Sequence, residues 1–167
     1  MKNIRELNTI LYSSNFIKFK DALNDYNIHE QDNFGNNILH YYIKESKNLE
    51  MNYKDVIDII LFKGLNINEK QSKGAFKRSP LHIAVFMKLE NITNYLIDLG
   101  ADLNSTDTNG NSILWTAVMW YRDQNGNFIE KLIEKGADIH KENNNGISAF
   151  SLAHSISNSD VKKFLSE

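Results

Sequence analysis

The chain has 167 residues, enough for one domain with a sizeable buried core and too few for two comfortable ones. Its 41% apolar and 24% charged content is typical of an ordinary globular protein and excludes a disordered or collagen-like chain. The net charge of -2 offers no basic field for nucleic acid, and the absence of cysteine excludes disulfides and thiolate metal sites.

The N-terminal segment predicts a capping unit over residues 1–31. It begins with polar residues and contains no apolar core of a secretory signal. Phe16, Phe19 and Leu23 recur at helical spacing further along. The longest apolar runs, such as residues 56–62, are far too short to cross a bilayer. We therefore expect a cytoplasmic protein with no membrane partner.

Three helices are predicted to end at glycines that recur at equal spacing. Gly64, Gly100 and Gly136 lie 36 residues apart, and each follows an apolar run of helical periodicity. Glycine readily adopts the left-handed backbone conformation that closes a helix. Each run is therefore predicted to be the second helix of a repeated unit.

A polar turn and a helix start precede the second helix of each unit. The turns, each containing a glycine, lie at residues 32–35, 71–74, 107–110 and 143–146. The helix starts that follow them are at Asn37, Ser79, Ser112 and Ser148. Asn and Ser are preferred helix N-caps, and Pro80 stands at a first helical position that tolerates proline. Because neither helix of such a unit buries its apolar face alone, the units are predicted to stack.

The second unit resembles the ankyrin-repeat family. Residues 79–84, Ser-Pro-Leu-His-Ile-Ala, resemble its Thr-Pro-Leu-His-x-Ala motif, and residues 100–104 resemble its closing motif. The resemblance covers residues 32–167. It implies an all-α ankyrin-repeat solenoid of helix-turn-helix units with short β-hairpin connections and a concave binding face. We expect one domain over 1–167, with repeats at 32–70, 71–106 and 107–142 between capping units at 1–31 and 143–167.

The units are longer than the roughly 33 residues of the family repeat. The extra length is predicted between the helices at residues 46–52, in a hairpin at 75–78, and between helices again at 122–127. A short second helix is predicted at 161–165, where it would form a polar C-terminal cap.

Five histidines suggest a metal-binding or ligand-binding alternative, but structural roles explain them better. His40 and His82 occupy the slot where, by the family resemblance, histidine hydrogen-bonds the turn backbone. His29 and His140 stand where other units have asparagine, and His154 has no assigned role. No residues are spaced as a nucleophile with its base, or as a phosphate-binding loop. We therefore predict no enzymatic activity and no cofactor.

Partner-binding residues are expected four and five positions after the histidine slot, where the architecture faces its groove. These positions hold Lys44 and Glu45, then Phe86 and Met87, then Met119 and Trp120, then Ser155 and Ile156. Large apolar residues in two successive repeats favour a binding surface, with Trp120 as its strongest anchor. The alternative is that these side chains belong to the core.

Two hairpins are expected to flank this surface. Asn109 and Asn111 lie in one turn, and the basic pair Lys77 and Arg78 lies in another. An acidic partner would contact the basic pair, whereas a merely solvated loop is the simpler interpretation.

The expected function is binding of one specific protein by a chain that is monomeric when free. The chain resembles small bacterial ankyrin proteins that act as immunity partners of secreted toxins, so the resemblance implies an inhibitor of a toxin domain. A pathogen or viral ankyrin protein that binds a host protein is the alternative. A histidine-based metal-binding or ligand-binding protein is a remote third.

Overall fold

The computed structural model describes residues 2–121, 127–155 and 159–165. It divides into two compact units, Met1–Pro80 and Leu81–Glu167. The described residues form helices and turns with no regular β-strand, and their only β-bridges pair Lys2 with Tyr26 and Thr106 with Ser112. The predicted all-α repeat fold is confirmed, with hairpins that are tight loops rather than strands.

The described residues of the first unit form four α-helices. They are α1 (Ile4–Tyr12), α2 (Phe16–Ala22), α3 (Ile38–Glu45) and α4 (Tyr53–Phe62). Helix α1 packs against both α2 and α3, and α3 packs against α4. The core side chains with the least exposure include Leu7, Leu11, Phe19, Tyr42 and Ile57. A 3-10 turn at Ser46–Asn48 takes up part of the extra length predicted between α3 and α4.

The second unit contains five helices among its described residues. They are α5 (Pro80–Phe86), which begins one residue before the unit, α6 (Glu90–Asp98), α7 (Ile113–Met119), α8 (Asn127–Glu134) and α9 (Ala149–Ser155). Helix α7 packs against α8 and α9, and α6 packs against α8. The predicted helix at 161–165 is a 3-10 turn, Ser159–Phe164. Residues 122–126 of the predicted insertion and Ile156 lie outside the described residues.

Three of the first helices begin at the predicted residue because a side chain caps them. The Asn37 Oδ1 accepts the His40 N–H at 3.0 Å, and the Ser112 hydroxyl accepts the Trp115 N–H at 3.0 Å. Ser148 caps α9 in the same way by accepting the Ser151 N–H. Each cap satisfies a backbone donor that the first helical turn leaves without a partner.

The second helix of each repeat ends at the predicted glycine. Gly64, Gly100 and Gly136 have φ of 97°, 83° and 95°, in the left-handed region. The Gly100 N–H donates to the Ile97 carbonyl, and the next N–H donates back to Leu96. These bonds satisfy carbonyls at the helix end, as in a Schellman closure.

The hairpins are organised by one side chain each. Asp32 Oδ1 accepts the N–H groups of Phe34 and Asn36, and Asp107 and Asn143 do the same in their own loops. The second hairpin is longer, as predicted. Its closing hydrogen bond joins the Gln71 N–H to the Arg78 carbonyl, seven residues further along, whereas the other hairpins close over four residues.

Candidate functional site

An exposed aromatic contact joins two first helices of the second unit. Phe86 ends α5, and Trp120 caps the end of α7; their ring centroids lie 5.5 Å apart at 88°, an edge-to-face pair. Phe86 is 37% exposed, and both Met119 and Trp120 are 42% exposed. We call Phe86, Met119 and Trp120 the aromatic patch. Three large apolar side chains exposed together are typical of a binding surface.

The patch arises from the local sequence of the two helices. The inward positions of α7 are Ile113, Leu114, Ala117 and Val118, and all are buried. Since a helix turns 3.6 residues at a time, this buried stripe leaves Met119 at the surface. Trp120 follows as the cap residue, where its N–H still bonds the Thr116 carbonyl. Met87 follows Phe86 but is half-buried, so it contributes less to the surface.

Asn109 and Asn111 lie in the same hairpin but differ in accessibility. Asn109 is exposed, and its carbonyl accepts the Asn144 N–H at 3.0 Å. Asn111 is 8% exposed, and its amide bonds to Asp107 and Asn143. The Asn111 side chain therefore holds the hairpin together and offers little surface, and its contact with a partner stays a prediction. Asn109 remains a predicted contact.

Lys44 and Glu45 lie in the first unit, at the end of α3. Together with α1 and the first hairpin they line a cavity of about 570 Å³. The Lys44 Nζ donates to Asn36 Oδ1 at 2.7 Å, and burial lowers the pKa of Lys44. Glu45 accepts a bond from Asn48. The first hairpin thus holds the ammonium group of Lys44, and both Lys44 and Glu45 stay predicted partner contacts.

The basic pair of the second hairpin also lies in the first unit. Lys77 is exposed and has a φ of 45°, whereas Arg78 is half-buried. The Arg78 guanidinium lies 4.5 Å from the centre of the Phe76 ring. This cation–π contact fixes the direction of the Arg78 side chain. Only Lys77 of the pair is fully presented to solvent, and both remain predicted contacts.

The two histidines of the repeated slot are buried and serve the backbone. His40 Nδ1 accepts the Asn37 N–H at 3.2 Å, and His82 Nε2 lies 3.2 Å from the Asn111 carbonyl. Burial, and then the positive charge of Lys44, lower the pKa of His40 to about 4. Within the described part of the chain, no three His, Asp or Glu side chains are grouped to hold a metal ion.

Several large exposed apolar residues were not singled out from the sequence. Phe34 at the first hairpin is 74% exposed and Phe62 at the end of α4 is 83% exposed. For Phe62 a signal existed: the equivalent residues of the next two repeats, Asp98 and Glu134, are charged. For Phe34 the turn itself gave no signal, since apolar residues are unusual there but not excluded.

The repeated caps, closing glycines and braced hairpins define a helix-turn-helix repeat protein. The chain matches the family described as ankyrin repeats (three copies) over residues 10–107 and 49–143. It therefore belongs to the ankyrin-repeat family, whose members are protein-protein interaction modules and are generally not catalytic. The part of the chain that is described includes no helix long and apolar enough to cross a membrane.

A similar protein is the nuclear factor NF-kappa-B p105 subunit of Gallus gallus. The two are 27% identical over 145 residues, which is 81% of this chain and 13% of the relative. The chain thus corresponds to only a small part of that protein's length.

Proposed function

We propose that this chain binds one specific partner protein through the aromatic patch of Phe86, Met119 and Trp120. The observation that carries the proposal is the exposed edge-to-face contact of Phe86 and Trp120 at 5.5 Å. Large, rigid aromatic side chains lose little conformational entropy on binding and contribute much of the energy of protein interfaces. Met119 adds a flexible apolar side chain that adapts to the partner's shape.

Asn109 supplies the polar part of the proposed surface. Asn109 is exposed on a hairpin of the same unit and presents an amide to a partner. Interfaces commonly place such polar, partly solvated groups around an apolar centre. The relative described as a p105 subunit is by that name one component of a protein assembly, which supports an association role for the similar segment.

The partner is a toxin domain that the chain inhibits in the cytoplasm, and the free chain is monomeric. The support for this narrower proposal is the resemblance to small bacterial ankyrin proteins that act as immunity partners. Capping a toxin's working surface needs no catalytic group, so a shape-complementary aromatic patch is sufficient chemistry. No cofactor is required.

Site-specific photo-crosslinking tests where the partner binds. A benzoyl-phenylalanine placed at position 119 of the patch should crosslink one protein in an extract of the native organism. The matched control carries the same group at position 99, where Leu99 is 39% exposed at the end of α6. Crosslinks from position 99 and none from position 119 would contradict the proposed site.

The captured protein then tests the inhibitor role. Expressed alone in a bacterial host, a toxin partner should arrest growth, and co-expression with this chain should restore it. Trp120→Ala should abolish the rescue. Crosslinking to a protein in a eukaryotic cell extract, and to none in the extract of the native organism, would instead favour the pathogen alternative.

A further inference from the structure

The second helices of the repeats can be compared position by position. Because their closing glycines are 36 residues apart, Phe62 of α4 is equivalent to Asp98 of α6 and Glu134 of α8. Ile59 is likewise equivalent to Tyr95 and Lys131. In the second unit two of these residues form an ion pair, with Lys131 Nζ 2.8 Å from the Asp98 carboxylate. The repeat architecture therefore accepts charged residues where α4 has phenylalanine and isoleucine.

These apolar residues of α4 lie at a pocket within the first unit. A shallow pocket of about 350 Å³ is lined by Phe16, Asp55, Asp58, Ile59 and Phe62, and we call it the α4 pocket. Phe62 is 83% exposed, and Ile17, next to Phe16 in α2, is 72% exposed. Exposing such large apolar side chains is unfavourable in water, and so little of Phe62 is buried that it adds little to the core.

The charge at the α4 pocket selects the kind of partner. Both charged residues that line it, Asp55 and Asp58, are acidic, and they lie on the same helix as Ile59 and Phe62. Carboxylates beside an apolar surface attract Lys and Arg side chains and repel acidic segments and anionic membrane surfaces. An amphipathic helix with apolar and basic residues on one face matches this pattern.

We propose that the α4 pocket binds a basic amphipathic helix of a partner protein. An apolar side chain of that helix packs against Phe16, Ile59 and Phe62. Its Lys or Arg side chains, one helical turn away, meet Asp55 and Asp58. This site lies in the first unit and is independent of the aromatic patch, so it does not rest on the function proposed above.

Fluorescence anisotropy with two labelled model peptides tests the α4 pocket. One is an 18-residue amphipathic helix of Leu and Lys, and the other replaces every Lys by Glu. The protein should bind the Lys peptide and not the Glu peptide. Phe62→Asp, which installs the residue type of position 98, should weaken binding about tenfold or more. Phe34→Asp, the same change at another exposed phenylalanine of this unit, should change it less than about twofold.

The direction of the change in affinity distinguishes a specific pocket from general charge attraction. Both variants add one negative charge, so general attraction of a basic peptide would strengthen binding equally in both. Equal binding of the two peptides, or equal responses of the two variants, would overturn the proposal. Asp55→Asn together with Asp58→Asn should also weaken binding, and this keeps the test valid if Phe62→Asp fails to fold. Sedimentation velocity tests whether a second copy of this chain occupies the pocket instead. If the natural chain is a dimer and Phe62→Asp dissociates it, the proposal is wrong.

Discussion

His40 shows how one side chain serves both a helix start and the pH dependence of stability. The ring Nδ1 of His40 accepts the backbone N–H of Asn37, and the backbone N–H of His40 donates to Asn37 Oδ1. These two bonds make a reciprocal capping box. Only a neutral ring whose proton is on Nε2, which leaves Nδ1 unprotonated, can accept that bond. Burial lowers the pKa of His40 from 6.5 to about 4, because a buried charge is unfavourable, and the positive charge of Lys44 lowers it further.

The first prediction is that His40 makes the protein acid-sensitive. As the pH falls from 6.5 to about 4, His40 becomes protonated in the unfolded chain but stays neutral in the folded chain. The free energy of unfolding should therefore fall over this window, with a contribution of up to about 3 kcal/mol. His40→Gln should remove that contribution while keeping the capping box, because a Gln carbonyl accepts the same N–H. Urea unfolding at several pH values measures it.

The control for this experiment is an exposed histidine. His154→Gln is the same substitution at an exposed position of α9, and its unfolding is measured over the same pH range. A His40→Gln protein whose stability falls with acid as steeply as the natural chain's would contradict the account.

The second prediction separates two kinds of glycine. At Gly100, with φ of 83°, an added Cβ would meet no atom within 4 Å. At Gly110, with φ of 77°, it would lie 2.6 Å from Asn144 Oδ1 and 2.8 Å from the Asn144 backbone nitrogen. Gly100→Ala should thus cost about 1 kcal/mol through backbone strain, and Gly100→Val about 1–3. Gly110→Ala should cost about 3 kcal/mol or more, because it adds a clash with a neighbouring hairpin. Equal losses of unfolding free energy for the two alanine variants would refute this distinction.

At the scale of elements, the hairpins depend on one acidic or amide side chain each. Asp107 accepts the N–H groups of Asn109 and Asn111 and the amide of Asn111. Asn143 performs the backbone part of this role one repeat later. The side chain therefore replaces the strand ladder that the hairpin is too short to form.

The third prediction uses this natural replacement. Asp107→Ala leaves the buried N–H of Asn111 and the N–H of Asn109 without their acceptor, and it should lower the free energy of unfolding by about 2–3 kcal/mol. Asp107→Asn installs the residue of the next repeat and should cost less than about 1 kcal/mol. Thermal and urea unfolding of the two variants provide the comparison, and an alanine variant as stable as the asparagine one would show that the brace is dispensable.

The helices, caps and closing glycines were predictable because their causes are local. Asn37, Ser112 and Gly100 each act on backbone groups within a few residues, so their types and spacing are sufficient evidence. The burial of Asn111 was not predictable in the same way. It depends on Asn143, which lies 32 residues further along the chain and approaches only when the repeats pack.

The candidate site was predictable in part for the same reason. The positions of Met119 and Trp120 follow from helical periodicity and the repeat register. The contact of Trp120 with Phe86 involves rotamers chosen by two helices together, and sequence spacing does not determine those rotamers. The pocket beside Phe62 was not predictable from the sequence, because its lining combines Phe16 of α2 with residues of α4 that are about 40 positions further along the chain.

At the scale of the whole molecule, the central claim is that this ankyrin-repeat protein binds its partner through Trp120. An exposed anchor and a core residue respond differently to truncation. Trp120 is 42% exposed and packs on Phe86, so Trp120→Ala should lower the free energy of unfolding by less than about 1.5 kcal/mol. Loss of an interface hot spot should weaken the complex by about 2–4 kcal/mol.

The most direct test therefore measures stability and binding affinity on the same variant. The unfolding free energy and the Kd for the protein captured by crosslinking are both determined for Trp120→Ala and for the natural chain. We expect stability to change little while the Kd rises roughly 30-fold to 1,000-fold, which corresponds to those interface energies. An unchanged Kd, or a loss of stability large enough to explain the weaker binding, would contradict the claim and place the binding surface elsewhere.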